Sequence, residues 1–257
     1  MYFCAVMEKL FSIVTVTWNA AGVIAPTISG IKDQTFTDFE WLVVDGASKD
    51  DTVRLAQEAA VPNMRIVSER DKGLYDAMNK AIRLAQGKYL IWLNAGDSFA
   101  DAQALQRLAD AAVGNPGVIY GQTQLVDESR RVVGMRHLTA PKHLTVDSFK
   151  RGMLVCHQAF VARRDIAPQY NLTYRFSADF DWCIRVLKAS TANAYAGDKP
   201  VISFLTDGMT DKNRKASLKE RFRIMCQYYG TVPTVLRHIS FVPRFVLNKL
   251  RRAAAKK

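Results

Sequence analysis

Three carboxylates follow apolar runs in the first hundred residues. Asp45 closes WLVVD, Asp71 follows MRIVSER, and Asp97 ends YLIWLNAGD. Each has a glycine close by: Gly46, Gly73 and Gly96. A fourth acid, Asp179, stands in FSADFDW. Like charges brought together repel, and burying them without partners is costly. A cation or a set of hydrogen-bond donors must offset that cost. One ordinary explanation is that each acid caps the helix after it. That serves well for a single acid and poorly for three beside glycines. Mg²⁺ takes one or two protein carboxylates together with substrate phosphates and water. A cation so held stabilises charge on a departing oxygen.

Alternating elements position these residues. FSIVTVTW reads as a strand, and AAGVIAPTISGI as a helix with Ile24, Ile28 and Ile31 at helical spacing and Pro26 in its first turn. FEWLVVDG is a second strand. Ser48 and Asp51 form a capping-box pattern opening DTVRLAQEAA. MRIVSER is a third strand, and GLYDAMNKAIRLAQG a helix closed by Gly87 as a C-terminal glycine. KYLIWLN is a fourth strand, with DAQALQRLADAAV a helix after it. This alternation implies a parallel sheet covered on both faces, with ligands at the carboxyl ends of the strands. Asp45, Asp71 and Asp97 all fall at such ends. The second half is less regular. GVIYGQTQLV, RRVVGMRHL and CHQAFVAR read as strands of a mixed sheet. In YRFSADFDWCIRVLKAS a loop enters a helix, and Asp179 falls where the helix dipole favours an anion. Asp181, two residues on, points elsewhere and reads as a cap or a supporting group.

The 257 residues suffice for one ample α/β domain or for one domain plus an appendage. Cys4, Cys156, Cys183 and Cys226 have no paired spacing, so a reducing compartment is expected. No apolar run reaches the roughly 18 residues of a spanning helix. MYFCAVMEKL lacks a basic n-region with a cleavage site, so no signal peptide is expected. The net charge of +12 is segregated: residues 212–257 hold thirteen Lys/Arg against one acid, Glu220, and residues 1–211 are balanced. Residues 212–229 read as a helix. Residues 237–257 interleave seven Lys/Arg with Phe241, Val242, Phe245, Val246, Leu247 and Leu250. This is either a solvated basic end or an interfacial helix on an anionic membrane. No nucleic-acid motif is present, so nucleic acid is not expected as a partner.

SIVTVTWNAAGVI, QTFTDFEWLVVDGASKDDT, ERDKGLYDAMNKAIRLAQGKYLIWLNAGD, VCHQAFVAR and FSADFDWCIRV, in that order over about residues 11–190, resemble family 2 glycosyltransferases. The nearest subgroup serves bacterial polysaccharide or lipid-linked oligosaccharide assembly. The resemblance implies a single GT-A domain over 1–211, with a mostly parallel central sheet flanked by helices. Its nucleotide-sugar half covers about 11–120 and its acceptor half about 121–211, and a basic helical extension follows over 212–257. It also implies roles. Asp45 would accept a hydrogen bond from the base of a nucleotide-sugar. Thr15, Thr17 and Asn19 would line the nucleoside site, and Arg70, Asp71, Lys72 and Gly73 would approach base, ribose or phosphates. Asp76 is either a donor contact or a dipole partner. The family's D-x-D motif falls on Asn94, Ala95, Gly96 and Asp97, so only Asp97 remains as a clear ligand for Mg²⁺ or Mn²⁺, with Asn94 and Gly96 beside the substrate. The acidic pair near the acceptor falls on Ala178 and Asp179, which makes Asp179 the base. His157 either lines the acceptor or phosphate site or is a satisfied strand-end histidine.

An imide N–H opposite Asp45 suits uracil or thymine, and guanine with its amine, better than adenine or cytosine. The expected activity is inverting transfer from a nucleoside-diphosphate sugar, UDP-linked by preference, to a glycan or polyprenyl-pyrophosphate-linked acceptor. The expected place is cytoplasmic, on the inner face of the plasma membrane. A dinucleotide oxidoreductase is disfavoured because G-x-G-x-x-G is absent after the first strand. A nucleotidyltransferase is disfavoured because TWNAAGVI holds no Lys or Arg. The reduced D-x-D leaves open a degenerate, nucleotide-sugar-binding membrane scaffold.

Overall fold

The structure, a computed structural model, describes residues 8–206 and 214–239. Its first half is built on β1 (Phe11–Thr17), β2 (Phe39–Asp45), β3 (Met64–Ser68) and β4 (Tyr89–Trp92), connected through α1 (Ala25–Lys32), α2 (Thr52–Glu58) and α3 (Leu74–Leu84). These strands are parallel, in the order β3-β2-β1-β4. Every residue of β1, β2 and β4 is buried, as the continuous apolar runs require of strands covered on both faces. In register, Thr17 pairs with Asp45 and Asp45 with Ser68. The strand ends are therefore level, and their loops open along one edge.

The second half adds β5 (Ser98–Phe99), α4 (Ala104–Asp110), β6 (Val118–Val126), β7 (Val132–Met135), β8 (Phe160–Arg163), α5 (Ala178–Ala189), β9 (Asn193–Leu205) and α6 (Arg214–Tyr229). The sheet continues from β4 through β8, β6 and β9 to β5, with β7 on β6. β8 runs antiparallel to both β4 and β6, whereas β6 and β9 are parallel. The all-parallel pattern thus belongs to the first half, and the mixed pattern to the second. One sheet spans both halves, with β6 crossing residue 120.

Two local expectations are corrected. α3 does not end on a left-handed glycine: Ala85 leaves the helix at ψ 138°. Gly87 is required instead because a Cβ there would lie 2.5 Å from the backbone of Phe11 and Ser12. The Ser48–Asp51 capping box does not form, since the Ser48 hydroxyl is drawn to Asp45. β9 begins at Asn193. It passes a stretch without a sustained apolar run, with Gly197 at φ +95° and Pro200, and with register shifts against β6.

Candidate active site

The end of β2 is organised by one carboxylate. Asp45 is fully buried. Its Oδ1 accepts from the Thr17 hydroxyl (2.9 Å) and the Ser48 hydroxyl, and its Oδ2 from the Ser48 amide (2.8 Å) and the Ser68 hydroxyl (2.7 Å). Burial pushes this carboxyl up, but the bonds from Ser48, Ser68 and Thr17 outweigh it and hold it below its ordinary value. A carboxylate offers about four acceptor positions, and four donors fill them. A base could meet Asp45 only by displacing one. Asp45 instead ties the ends of β1, β2 and β3 together and shapes the loop after β2. Thr15 does not reach the site: it is buried, and Trp41 Nε1 donates to its hydroxyl (2.9 Å). Asn19 does stand at the edge, at φ 48°. Its amide donates to the Ser48 hydroxyl (2.8 Å), and its Oδ1 accepts from Lys49 N (3.0 Å), so it links two loops.

The loop after β3 folds on its own acids. Asp71 Oδ1 accepts from Gly73 N (2.8 Å) and Asp76 Oδ2 from Lys72 N (3.0 Å). Asp76 therefore serves the loop, beside a Gly73 at φ +116°. A Cβ on Gly46 would lie 2.6 Å from Asp71 Oδ2, so that glycine admits the Asp71 carboxylate. Arg70 and Lys72 are exposed at this edge.

Asp97 ends a turn shaped by Gly96 at φ +98°, a conformation that favours glycine. The Thr27 hydroxyl accepts from Gly96 N (3.0 Å) and donates to Asp97 O (2.6 Å). Gln158 spans the turn: its Oε1 accepts from Asn94 N (2.7 Å) and its Nε2 donates to Asp97 Oδ2. Leu205 N donates to Oδ1 (2.7 Å). Arg130 donates to Gly96 O (2.7 Å) and Ser98 Oγ (2.6 Å). Burial pushes Asp97 up to about 6, against the contrary pull of Gln158, Leu205 N and Arg130. Asn94 Oδ1 is buried without a hydrogen-bond partner among the described residues. No group of three or more His, Cys, Asp or Glu able to hold a metal occurs among those residues. A buried carboxylate with acceptor positions to spare and an unsatisfied amide oxygen nearby in sequence still fit a hard cation that takes its remaining ligands from phosphate and water.

Asp179 lies in the first turn of α5. Its Oδ1 accepts from Phe180 N (2.9 Å) and from the Tyr75 hydroxyl (3.3 Å). Burial, reinforced by the Asp179 charge, pushes the Tyr75 phenol well above its ordinary value, so it stays a donor. Tyr75 opens α3, just past Gly73, and so ties Asp179 to the loop after β3. Its ring stacks on Tyr170 at 5.5 Å. Tyr170 in turn bonds His157 Nε2 (2.7 Å), and His157 stacks on Trp92 at 5.7 Å. His157 is thus the satisfied histidine of the two readings, and burial pushes it down to about 4. Asp181 is buried, paired with Arg185 (2.8 Å) and accepting from the Tyr228 hydroxyl (2.7 Å), which makes it a supporting group.

The sequence reading missed Gln158, Arg130, Leu205 N and Tyr75 as partners of the acids. Gln158 and Tyr75 stand inside CHQAF and GLYDAMN beside residues that were singled out, so adjacency was the available signal. Nothing local marked Arg130 or Leu205.

A family model for glycosyl transferase family 2 matches residues 12–170. A PGL/p-HBAD biosynthesis glycosyltransferase of Mycobacterium bovis is 38% identical over 187 residues, covering 68% of this chain and 69% of its own. A UDP-Glc:alpha-D-GlcNAc-diphosphoundecaprenol beta-1,3-glucosyltransferase of Escherichia coli is 23% identical over 188 residues, 73% of each chain. Among solved structures, S. aureus TarS 1-349 in complex with UDP-GlcNAc aligns with a TM-score of 0.67 at 15% identity, over 90% of this chain and 73% of that one. A mannosyltransferase from Pyrobaculum calidifontis, in complex with GDP-Man and Mn2+, aligns with a TM-score of 0.61 at 15% identity, over 98% and 82%. These structures bear on the fold, which is that of the GT-A glycosyltransferases. The chain belongs to glycosyltransferase family 2.

Proposed function

We propose that this glycosyltransferase moves a sugar, with inversion, from a UDP-sugar to a glycan or polyprenyl-pyrophosphate-linked acceptor in bacterial cell-surface polysaccharide assembly. The observation that carries the reading is the buried Asp97 carboxylate at the end of β4, braced by Gln158 and Leu205 N beside the unsatisfied Asn94 Oδ1. Asp97 and Asn94 would hold Mg²⁺ or Mn²⁺, which supplies Lewis-acid neutralisation of the diphosphate when bound. Arg70 and Lys72 add positive charge at the same edge. Asp45 acts through the loop it orders, which with Thr17, Asn19 and the Asp71–Gly73 turn forms the wall for base and ribose. Asp179 takes the proton of the acceptor hydroxyl, and Tyr75 orients it. The Escherichia coli relative's name supports a UDP-linked donor and a lipid-diphosphate acceptor, and the Mn2+ of the mannosyltransferase complex supports a cation.

The basic segment brings the enzyme to the anionic inner face of the plasma membrane. The anchor expected over 237–257 lies, beyond residue 239, outside the described residues. Within them, Val232, Val235, Leu236 and Ile239 form an exposed apolar stripe leading into it.

Calorimetric titration with UDP, GDP, dTDP, ADP and CDP, with and without Mn²⁺ or Mg²⁺, tests the donor site. UDP binding strengthened by the cation, and no longer strengthened in Asp97→Ala, is the expected result. Failure to bind any nucleotide would overturn it, and binding without sugar transfer would leave a nucleotide-sugar-binding scaffold.

A further inference from the structure

Glu220 is the one acid among thirteen Lys/Arg in residues 212–257. Its carboxylate, on α6, is aimed at backbone. Oε1 accepts from Arg175 N (2.9 Å), and Oε2 from Phe176 N (2.7 Å) and Ser177 N (3.0 Å). Those are the three residues that lead into α5. Ser177 is the N-cap of α5 but gives it no side-chain cap. Its hydroxyl is spent on α6, bonding Ser217 O (3.0 Å) and Ser217 Oγ (3.1 Å). On the other side of Asp179, Tyr228 of α6 donates to Asp181 (2.7 Å). The entry to α5 is therefore held from another helix, on both sides of the acid that faces Tyr75.

We propose that Glu220 is a positioning residue for Asp179: by binding three consecutive amides it fixes where α5 begins, and hence where its first-turn carboxylate stands. The inference rests on the reading of Asp179 as the base. Hydrogen bonds from backbone N–H to a carboxylate are charge-assisted, and an anion at a helix N-terminus is favoured by the helix dipole. This accounts for an acid standing alone in a basic run. Catalysis is sensitive to such placement, since a misplacement near 1 Å costs roughly a hundredfold.

The test uses the full chain with Glu220→Ala, Glu220→Gln and Asp179→Asn. Glutamine keeps the shape and one acceptor oxygen, so it covers the case in which alanine fails to fold. The readouts are hydrogen exchange, UDP affinity by calorimetry, and diphosphate release from a panel of UDP-, GDP- and dTDP-sugars. The expected result is faster exchange at 175–179 with unchanged exchange in β1 and β2. Turnover should fall roughly tenfold to a hundredfold at unchanged UDP affinity. Glu220→Ala should add little in the Asp179→Asn background, because both act on one group. Unchanged exchange and turnover in both Glu220 variants, with Asp179→Asn inactive, would overturn the positioning role alone. Full activity in Asp179→Asn would instead remove the base assignment. UDP affinity falling in step with turnover would reduce Glu220 to a general structural residue.

Discussion

Asp97 and His157 are displaced in opposite directions across one pH range, and Gln158 stands beside the histidine in sequence while bonding the acid. Burial raises Asp97 from 3.8 to about 6. The folded state then holds a proton that the unfolded chain has released, so its stabilising contribution is present below about pH 4 and lost as pH rises through about 6. Burial lowers His157 from 6.5 to about 4. Its contribution is present above about pH 6.5 and lost as pH falls toward 4. Each displacement is worth about 3 kcal/mol, and the two nearly cancel. Denaturant melts in chelator between pH 4 and 7 should therefore separate in the variants. His157→Phe should gain stability toward low pH, and Asp97→Asn should lose it. Parallel profiles for the two variants would mean that one group is not buried as described. The acids themselves were legible, because a carboxylate ending a buried strand is conspicuous in sequence. Their partners were not. Leu205 lies 108 positions from Asp97, and a backbone amide carries no sequence signature.

At the scale of elements, two glycines separate packing from conformation. A Cβ on Gly87 would meet the β1 backbone at 2.5 Å, where neither side can yield. Gly87→Ala should lower stability by at least ~2 kcal/mol and leave the proposed cation-dependent UDP binding of the surviving folded protein intact. Gly96 is different: its nearest neighbour would be Leu205 Cδ2 at 3.5 Å, an ordinary contact, but its φ is +98°. Gly96→Ala should cost about 1–3 kcal/mol as backbone strain and weaken the proposed cation-dependent UDP binding, because the strain sits in the turn that presents Asn94 and Asp97. Thermal melts and calorimetry on both variants check the contrast, and equal losses of UDP binding would contradict it. The parallel half was readable because buried strands appear as unbroken apolar runs between helices. The first half of β9 was not, since Asn193–Pro200 has no sustained apolar run and is interrupted by Gly197 and Pro200. Its strand character comes from pairing with β6 rather than from local propensity.

At the scale of the whole molecule, a neutral body carries a tail with an excess of twelve positive charges. Net charge alone gives attraction without orientation. The helical stretch over 231–239 adds direction. Val232, Val235, Leu236 and Ile239 fall on one helical face and are 70%, 38%, 62% and 60% exposed. Thr234 on that stretch is buried, and the His238 ring packs on Phe222 at 5.1 Å. The apolar face thus points away from the body at the point where the basic run continues. No helix among the described residues is long and apolar enough to cross a membrane; the contact proposed for the stripe is that of an interfacial helix. Basic residues near an anionic surface contribute about 1 kcal/mol each, an attraction that salt screens, whereas the apolar face is largely indifferent to salt. The full chain should therefore sediment with vesicles containing anionic lipid and not with zwitterionic ones. High salt should release most of it. Val232→Asp with Leu236→Asp should weaken binding at low salt by roughly tenfold or more, without shifting the melting temperature. If the double variant binds vesicles like the parent, the stripe does not meet the bilayer. A self-association of the parent that the double variant loses would assign the stripe to a second copy of the chain instead. If vesicle binding follows the stripe, α6 joins the lipid-facing helix to Glu220 and so to the start of α5. The surface proposed to hold a lipid-linked acceptor and the carboxylate proposed to deprotonate it would then belong to one continuous piece of structure.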